Sequence, residues 1–116
     1  MPDAPTLADF IETAGLFRAL AHPLRLAVAC GLARRPATQA EVVAVLGRPQ
    51  STIAQHLAKL RSAGVVSGRR EGAQVVFQVT DPAAVAVIEA VCRQRHNKVL
   101  QEITWDELGA LDWNSI

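Results

Sequence analysis

The sequence predicts a mainly α-helical domain that carries one β-hairpin, in the order α-α-α-α-β-β-α. Three observations point there. Apolar residues recur at helical spacing through residues 7–62. The pattern then shortens to a period of two in Ala73-Gln74-Val75-Val76-Phe77-Gln78-Val79, after a first extended run, Val65-Val66-Ser67-Gly68-Arg69-Arg70. Behind Asp81-Pro82 a helical period returns and persists for about five turns.

Each element has a local cause. Thr6 can cap a first helix over residues 7–20, with Leu7, Phe10, Ile11, Ala14, Phe17 and Leu20 as its expected buried stripe. His22-Pro23 breaks that helix, and proline suits the first turn of the next, over 23–34. Arg34-Arg35-Pro36 ends it, with basic residues at the negative end of the helix dipole. Thr38-Gln39-Ala40-Glu41 has the capping-box pattern and opens a third helix to Leu46, which Gly47 stops. A fourth helix follows over 50–62 and ends at Gly64. Glu71-Gly72 is the expected hairpin turn, with Val75, Phe77 and Val79 on one side of the second strand. The last long helix is expected over about 82–101, within a C-terminal dimerisation segment spanning 82–103. Thr104-Trp105-Asp106-Glu107 is another capping pattern, so 104–116 reads as a short acidic terminal helix and tail with Trp105, Leu108 and Leu111 inward. With 116 residues and no linker or repeat, the whole chain, 1–116, reads as one domain.

The fourth helix carries the clearest functional signal. Ile53, Leu57 and Leu60 share one face. Ser51, Thr52, Gln55, His56 and Lys59 fall on the other, and these are side chains that hydrogen-bond base edges and phosphates. That face implies a recognition helix set in the DNA major groove, and the hairpin behind it implies a wing. The net charge is only +1, but its distribution is uneven. Five basic residues and no acid lie between Arg48 and Arg70, whereas four acids and no base lie between Glu102 and Asp112. A basic edge on a neutral protein is the footprint expected where one side faces phosphate. Gln55 is the best base reader, since its amide pairs bidentately with adenine. Gln50, Ser51, Thr52 and His56 are expected to read bases or hold phosphates, and Lys59, Arg69 and Arg70 to contact the backbone.

Taken together, these elements form a winged helix-turn-helix, and the chain resembles the ArsR/SmtB family of bacterial transcriptional regulators. The resemblance rests on Leu16-Phe17-Arg18-Ala19-Leu20-Ala21-His22-Pro23-Leu24-Arg25-Leu26, on Gln50 to Leu57, on Leu60-Arg61-Ser62-Ala63-Gly64-Val65-Val66 and on Arg69-Arg70-Glu71-Gly72. It implies a homodimer built on the first and last helices, bound to a two-fold operator on double-stranded DNA and usually released by an inducer. The family often carries histidine before this proline, which implies a structural role for His22. Independently, the last helix has two apolar stripes, Val85, Ile88, Cys92, Val99 and Ile103, and Ala84, Val87 and Val91. Two apolar faces call for two packing partners, and a small domain supplies its own core to only one.

The effector is open between two chemistries. The family's cysteine box at the start of the third helix has no match in residues 37–47, which lack cysteine and histidine. Its Asp-x-His…His-x-x-Glu metal pattern on the last helix is matched at Asp81 only, with Ala83, Gln94 and Asn97 at the other places. A variant site remains: Glu89, Cys92 and His96 lie at i, i+3 and i+7, a carboxylate, a thiolate and an imidazole suited to Ni2+ or Zn2+. The rival is thiol chemistry. Relatives that sense oxidants or persulfides pair a cysteine of the second helix with one of the last. Cys30 sits at the first of these places, and Cys92 about one turn before the second. One turn is about 5.4 Å, enough to separate α-carbons that must come within about 7 Å for a disulfide. The polar helical neighbours of Cys92 tip the expectation towards metal.

Other classes fit less well. No glycine-rich phosphate loop, no tyrosine and no nucleophile–base–acid set is present, so an enzyme is not expected. A neutral recognition face and plain wing, as a pure protein-docking module would have, are not what this sequence carries. The acidic tail with Trp105 and Trp113 leaves a protein co-regulator open. No apolar run spans a bilayer and the N-terminus lacks a signal-peptide pattern, so a cytoplasmic protein with no membrane partner is expected.

Overall fold

The computed structural model describes residues 3–115. The helices are α1 (Leu7–Leu20), α2 (Pro23–Arg34), α3 (Gln39–Leu46), α4 (Gln50–Ser62), α5 (Pro82–His96) and α6 (Trp105–Gly109), and the strands β1 (Ala37–Thr38), β2 (Val66–Glu71) and β3 (Gln74–Val79). Single 3-10 turns cover Leu100–Glu102 and Trp113–Ser115.

Local chemistry sets most boundaries. The Thr6 hydroxyl accepts from the N–H of Asp9, whose carboxylate accepts from the N–H of Thr6, a complete capping box. Thr38 and Glu41 repeat the arrangement at α3. His22 caps α2 through Nδ1, which accepts from the N–H groups of Leu24 and Arg25 at 3.2 and 3.4 Å. Asp81 caps α5 and Thr104 caps α6. Gly47 ends α3 at φ 63°, in the left-handed region.

The hairpin is the wing, with Val66 opposite Val79 and Glu71 opposite Gln74. Its two-residue turn is therefore Gly72-Ala73, one residue later than expected. A third strand was not foreseen. Ala37 and Thr38 pair antiparallel with Phe77 and Val76, making a sheet of order β1-β3-β2. That places β3 in the centre, and all of Val75–Val79 are half-buried rather than alternating in and out. Val28 and Ala29 of α2, Ile53 and Leu60 of α4, Val65, and Ala84 of α5 are sealed in one core.

Three expectations on packing are corrected. The apolar stripe of α1 is not buried within the chain: Leu7, Phe10, Ile11 and Phe17 are exposed, and the helix seats on the core through Leu16, Ala19 and Leu20. The last long helix stops at His96, not near residue 101 or 103. Asn97 takes φ 54° and the N–H of Lys98 closes onto the Cys92 carbonyl, so Val99 and Ile103 leave the stripe. Leu111 is exposed, while Trp105 is buried as expected and Leu108 is half-buried.

Beyond Asn97 the chain folds back over its own helix-turn-helix. Arg34 Nε donates to the Gln101 carbonyl. The Trp105 ring lies against Gly31, and its Nε1 donates to the Arg35 carbonyl at 3.4 Å. Trp113 Nε1 donates to the Leu108 carbonyl, and Asn114 Oδ1 accepts from Arg48 at 2.6 Å. The acidic tail is thus docked on α2, α3 and the α3–α4 turn of the same chain. No single helix among the described residues is long and apolar enough to cross a membrane.

Candidate nucleic-acid interface and buried cysteine pair

α4 is held by the face that the sequence assigned inward: Ile53, Leu57 and Leu60 are fully buried. The opposite face is open at Gln50, Ser51, Gln55 and Lys59. Pro49 precedes the helix and no side chain caps it, so its first-turn N–H groups remain available to an oxygen ligand. On the wing, Arg69 and Arg70 are both exposed. Arg69 pairs with Glu71 at 2.5 Å, an exposed pair that phosphate can replace at small cost. Arg70 makes no ion pair among the described residues.

Thr52 and His56 sit differently from the other expected contacts. Both are half-buried and line a cleft with His22, Arg48, Trp113 and Asn114. The His56 ring lies 4.6 Å from that of His22, centre to centre. Burial, then the neighbouring His22, Arg25 and Lys59, push the His56 pKa down, favouring the neutral ring. The helix wheel gave the angle of His56 but not the C-terminal residues that come to cover it.

The effector residues separate into two groups. Glu89 accepts from Arg93 at 2.9 Å, one turn away, and His96 is exposed at the end of α5. Among the described residues, no three histidine, cysteine, aspartate or glutamate side chains gather as a metal-holding group. The expected set Glu89, Cys92 and His96 therefore does not converge within one chain. Cys30 and Cys92 do come together. Both are buried, Cys30 on α2 and Cys92 on α5, and neither is in a disulfide. Burial, the charge of Cys92 and a hydrogen bond that the Cys30 S–H donates to it raise the Cys30 thiol from 9.0 to about 12. The two side chains meet despite the one-turn offset in sequence.

The comparisons agree with this geometry. Residues 22–67 match the helix-turn-helix model of the arsR family of bacterial regulatory proteins. The chain is 41% identical over 80 residues to the biofilm growth-associated repressor of Agrobacterium fabrum, covering 69% of this chain and 68% of that one. It is 39% identical over 90 residues to the transcriptional repressor SmtB of Mycobacterium tuberculosis, covering 76% and 67%. Among solved structures, reduced HlyU from Vibrio cholerae superposes with a TM-score of 0.70 at 30% identity, over 76% of this chain and 93% of that one. With its winged helix-turn-helix, open recognition face and basic wing, this chain belongs to the ArsR family of DNA-binding transcriptional regulators.

Proposed function

We propose that this protein is a homodimeric transcriptional repressor whose hold on its operator is set by the oxidation state of Cys30 and Cys92. The carrying observation is that the two buried thiols are neighbours although 62 positions separate them in sequence. They join α2, which packs directly on the recognition helix, to α5, whose outer face is unpartnered in a single chain. Dimerisation is supported by the exposed stripe Leu7, Phe10, Ile11 and Phe17 on α1 and by Val91 on α5. An apolar surface of that extent is what a second copy covers.

The chemistry favours an order of events. Cys30, held as a thiol, is a poor nucleophile at neutral pH. Cys92 reacts first with a two-electron oxidant, a peroxide for example, giving a sulfenic acid and water. The Cys30 sulfur then displaces hydroxide from Cys92, forming the S–S bond and a second water with the released proton. The two thiols lose two electrons and two protons in all. The bond ties α5 to α2 and alters the separation of the two recognition helices, which in a dimer must match grooves about 34 Å apart.

The test uses the full-length reduced protein and a duplex recovered by selection for binding to it. Peroxide, or polysulfide as a second probe, should release the wild-type protein from the duplex. With peroxide, intact mass should show loss of two hydrogens and no intermolecular bond. Cys30→Ser and Cys92→Ser should both bind and both resist release. Release that survives either substitution overturns the thiol reading. Stoichiometric Ni2+ or Zn2+ binding that changes operator affinity and is lost in Cys92→Ala, His96→Ala would replace it with the metal site read from sequence.

A further inference from the structure

A second electropositive site lies outside the recognition face. α1, α2 and the C-terminal half of α4 enclose an open cleft of about 490 Å³, lined by Arg18, Arg25, Lys59 and Ser62, with Gly15 leaving one wall without a side chain. No lining residue is acidic. Arg25 is the unusual member. It is only 9% exposed, and its Nε donates to the Ala19 carbonyl at 2.6 Å. The rest of its guanidinium has no hydrogen-bonded partner among the described residues, and the two ion pairs found there, Arg69–Glu71 and Arg93–Glu89, do not involve it.

The end of α1 offsets part of this charge through the carbonyl of Ala19. Arg18, in the last turn of α1, and Lys59, in the last turn of α4, bring two more cations to the same opening. The free end of the Arg25 guanidinium still reaches solvent, and an anion entering the cleft beside this largely buried group, which has no carboxylate partner, is stabilised by it. The neighbouring His56 registers the same crowding, being pushed towards its neutral form partly by Arg25 and Lys59. A planar fork, a second guanidinium, an ammonium and a hydroxyl are the donors that tetrahedral phosphate oxygens accept from.

We infer that this cleft is a phosphate site, filled in the complex by a backbone phosphate of the duplex beside the groove that α4 enters. Lys59 belongs to both surfaces, since it stands on α4 one turn after Gln55 and also lines the cleft. Arg18 and Arg25 thereby extend the DNA contact from α4 to α1 and α2. The inference rests on the DNA-binding reading above. Its chemistry would equally accept inorganic phosphate or a phosphorylated small molecule, and the experiment separates these sources.

Binding of the selected duplex and of an unrelated duplex of equal length is measured between 50 and 200 mM salt (concentrations spanning the usual counterion-release range). Proteins are the reduced wild type, Arg18→Gln, Arg25→Gln and Arg25→Lys, with Arg95→Gln on α5 as the charge control and thermal melts to confirm folding. One lost contact lowers the salt slope by about 0.9, so a dimer changed in both protomers loses about 1.8. Wild-type affinity should therefore fall about 12-fold more over this range than that of Arg18→Gln, on both duplexes. Arg25→Lys should keep most of the slope, and Arg95→Gln all of it. Should Arg25→Gln fail to fold, Arg18→Gln decides alone. Inorganic phosphate is titrated in parallel by calorimetry. Saturable phosphate binding that Arg18→Gln abolishes, with an unchanged DNA slope, reassigns the site to a free anion. Unchanged slopes with no phosphate binding overturn the inference. A wild type that binds neither duplex overturns the DNA-binding reading instead.

Discussion

Replacing Gly31 by alanine tests how the C-terminal segment is attached. Gly31 lies inside α2, where alanine is normally the better residue by about 0.5–1 kcal/mol. Here a Cβ would stand 2.5 Å from Cζ2 and 2.6 Å from Cζ3 of Trp105, far inside contact distance. The indole is a rigid ring, only 6% exposed, so it cannot swing its far end aside. If the ring shifts but stays, overpacking costs about 1–3 kcal/mol. If it is expelled, about 150–250 Å² of buried surface is lost, worth about 4–6 kcal/mol at 25 cal/mol/Å². Set against the helix-propensity gain, the central values leave a net destabilisation of about 1 kcal/mol if the ring stays and about 4 kcal/mol if it is expelled. For an m-value of about 2 kcal/mol/M this moves the urea midpoint down by about 0.5–2 M. Urea titrations at one fixed protein concentration, followed by tryptophan fluorescence, read the shift, because dimer stability depends on concentration. Trp105→Leu supplies the second corner of a double-mutant cycle. In that background Gly31→Ala should be neutral or slightly stabilising. A change within about 0.5 kcal/mol for the single mutant, or the same cost in both backgrounds, would refute the contact.

The raised Cys30 pKa, about 12 against an ordinary 9.0, predicts about a thousandfold less thiolate than an ordinary cysteine near pH 8. Alkylation followed by mass should be slower in proportion and should accelerate in Cys92→Ala, and labelling at the ordinary cysteine rate would contradict the burial argument. Since that pKa is higher in the folded protein, its contribution to stability is whole below pH 9 and is lost as pH rises through about 12. Thr38→Ala should cost about 1 kcal/mol by removing the α3 cap. The hydrogen bonds from Thr38 lower the Glu41 pKa below 4.5, so the box stabilises above that pH and fades as pH falls through the depressed value. Urea midpoints of wild type and Glu41→Gln should therefore converge in acid, and a pH-independent gap would deny the Glu41 charge its part.

The sequence by itself determined everything that depends on a few neighbouring residues. Thr6, Thr38, Asp81 and Thr104 start helices because each side-chain oxygen reaches an N–H two or three residues ahead. Gly47 stops one because its φ of 63° suits a residue without a Cβ. The face of α4 that carries Gln55 is open because Ile53, Leu57 and Leu60 fix the helix's rotation, and spacing alone gives that rotation. What periodicity cannot supply is the identity of the partner. The α1 stripe is apolar to the eye, yet its own chain leaves it uncovered. A strand of two residues, Ala37-Thr38, has no period to read and exists only because β3 is there to pair with it. Asn97 ends α5 by adopting a conformation that asparagine tolerates but does not require, as the segment after it turns back to dock Trp105 on Gly31. The meeting of Cys30 with Cys92, and the gathering of Arg18, Arg25 and Lys59 at one cleft, depend on the crossing of helices distant in sequence. Only tertiary structure decided those, because the energy that sets a crossing comes from the whole packed core rather than from any local run of residues.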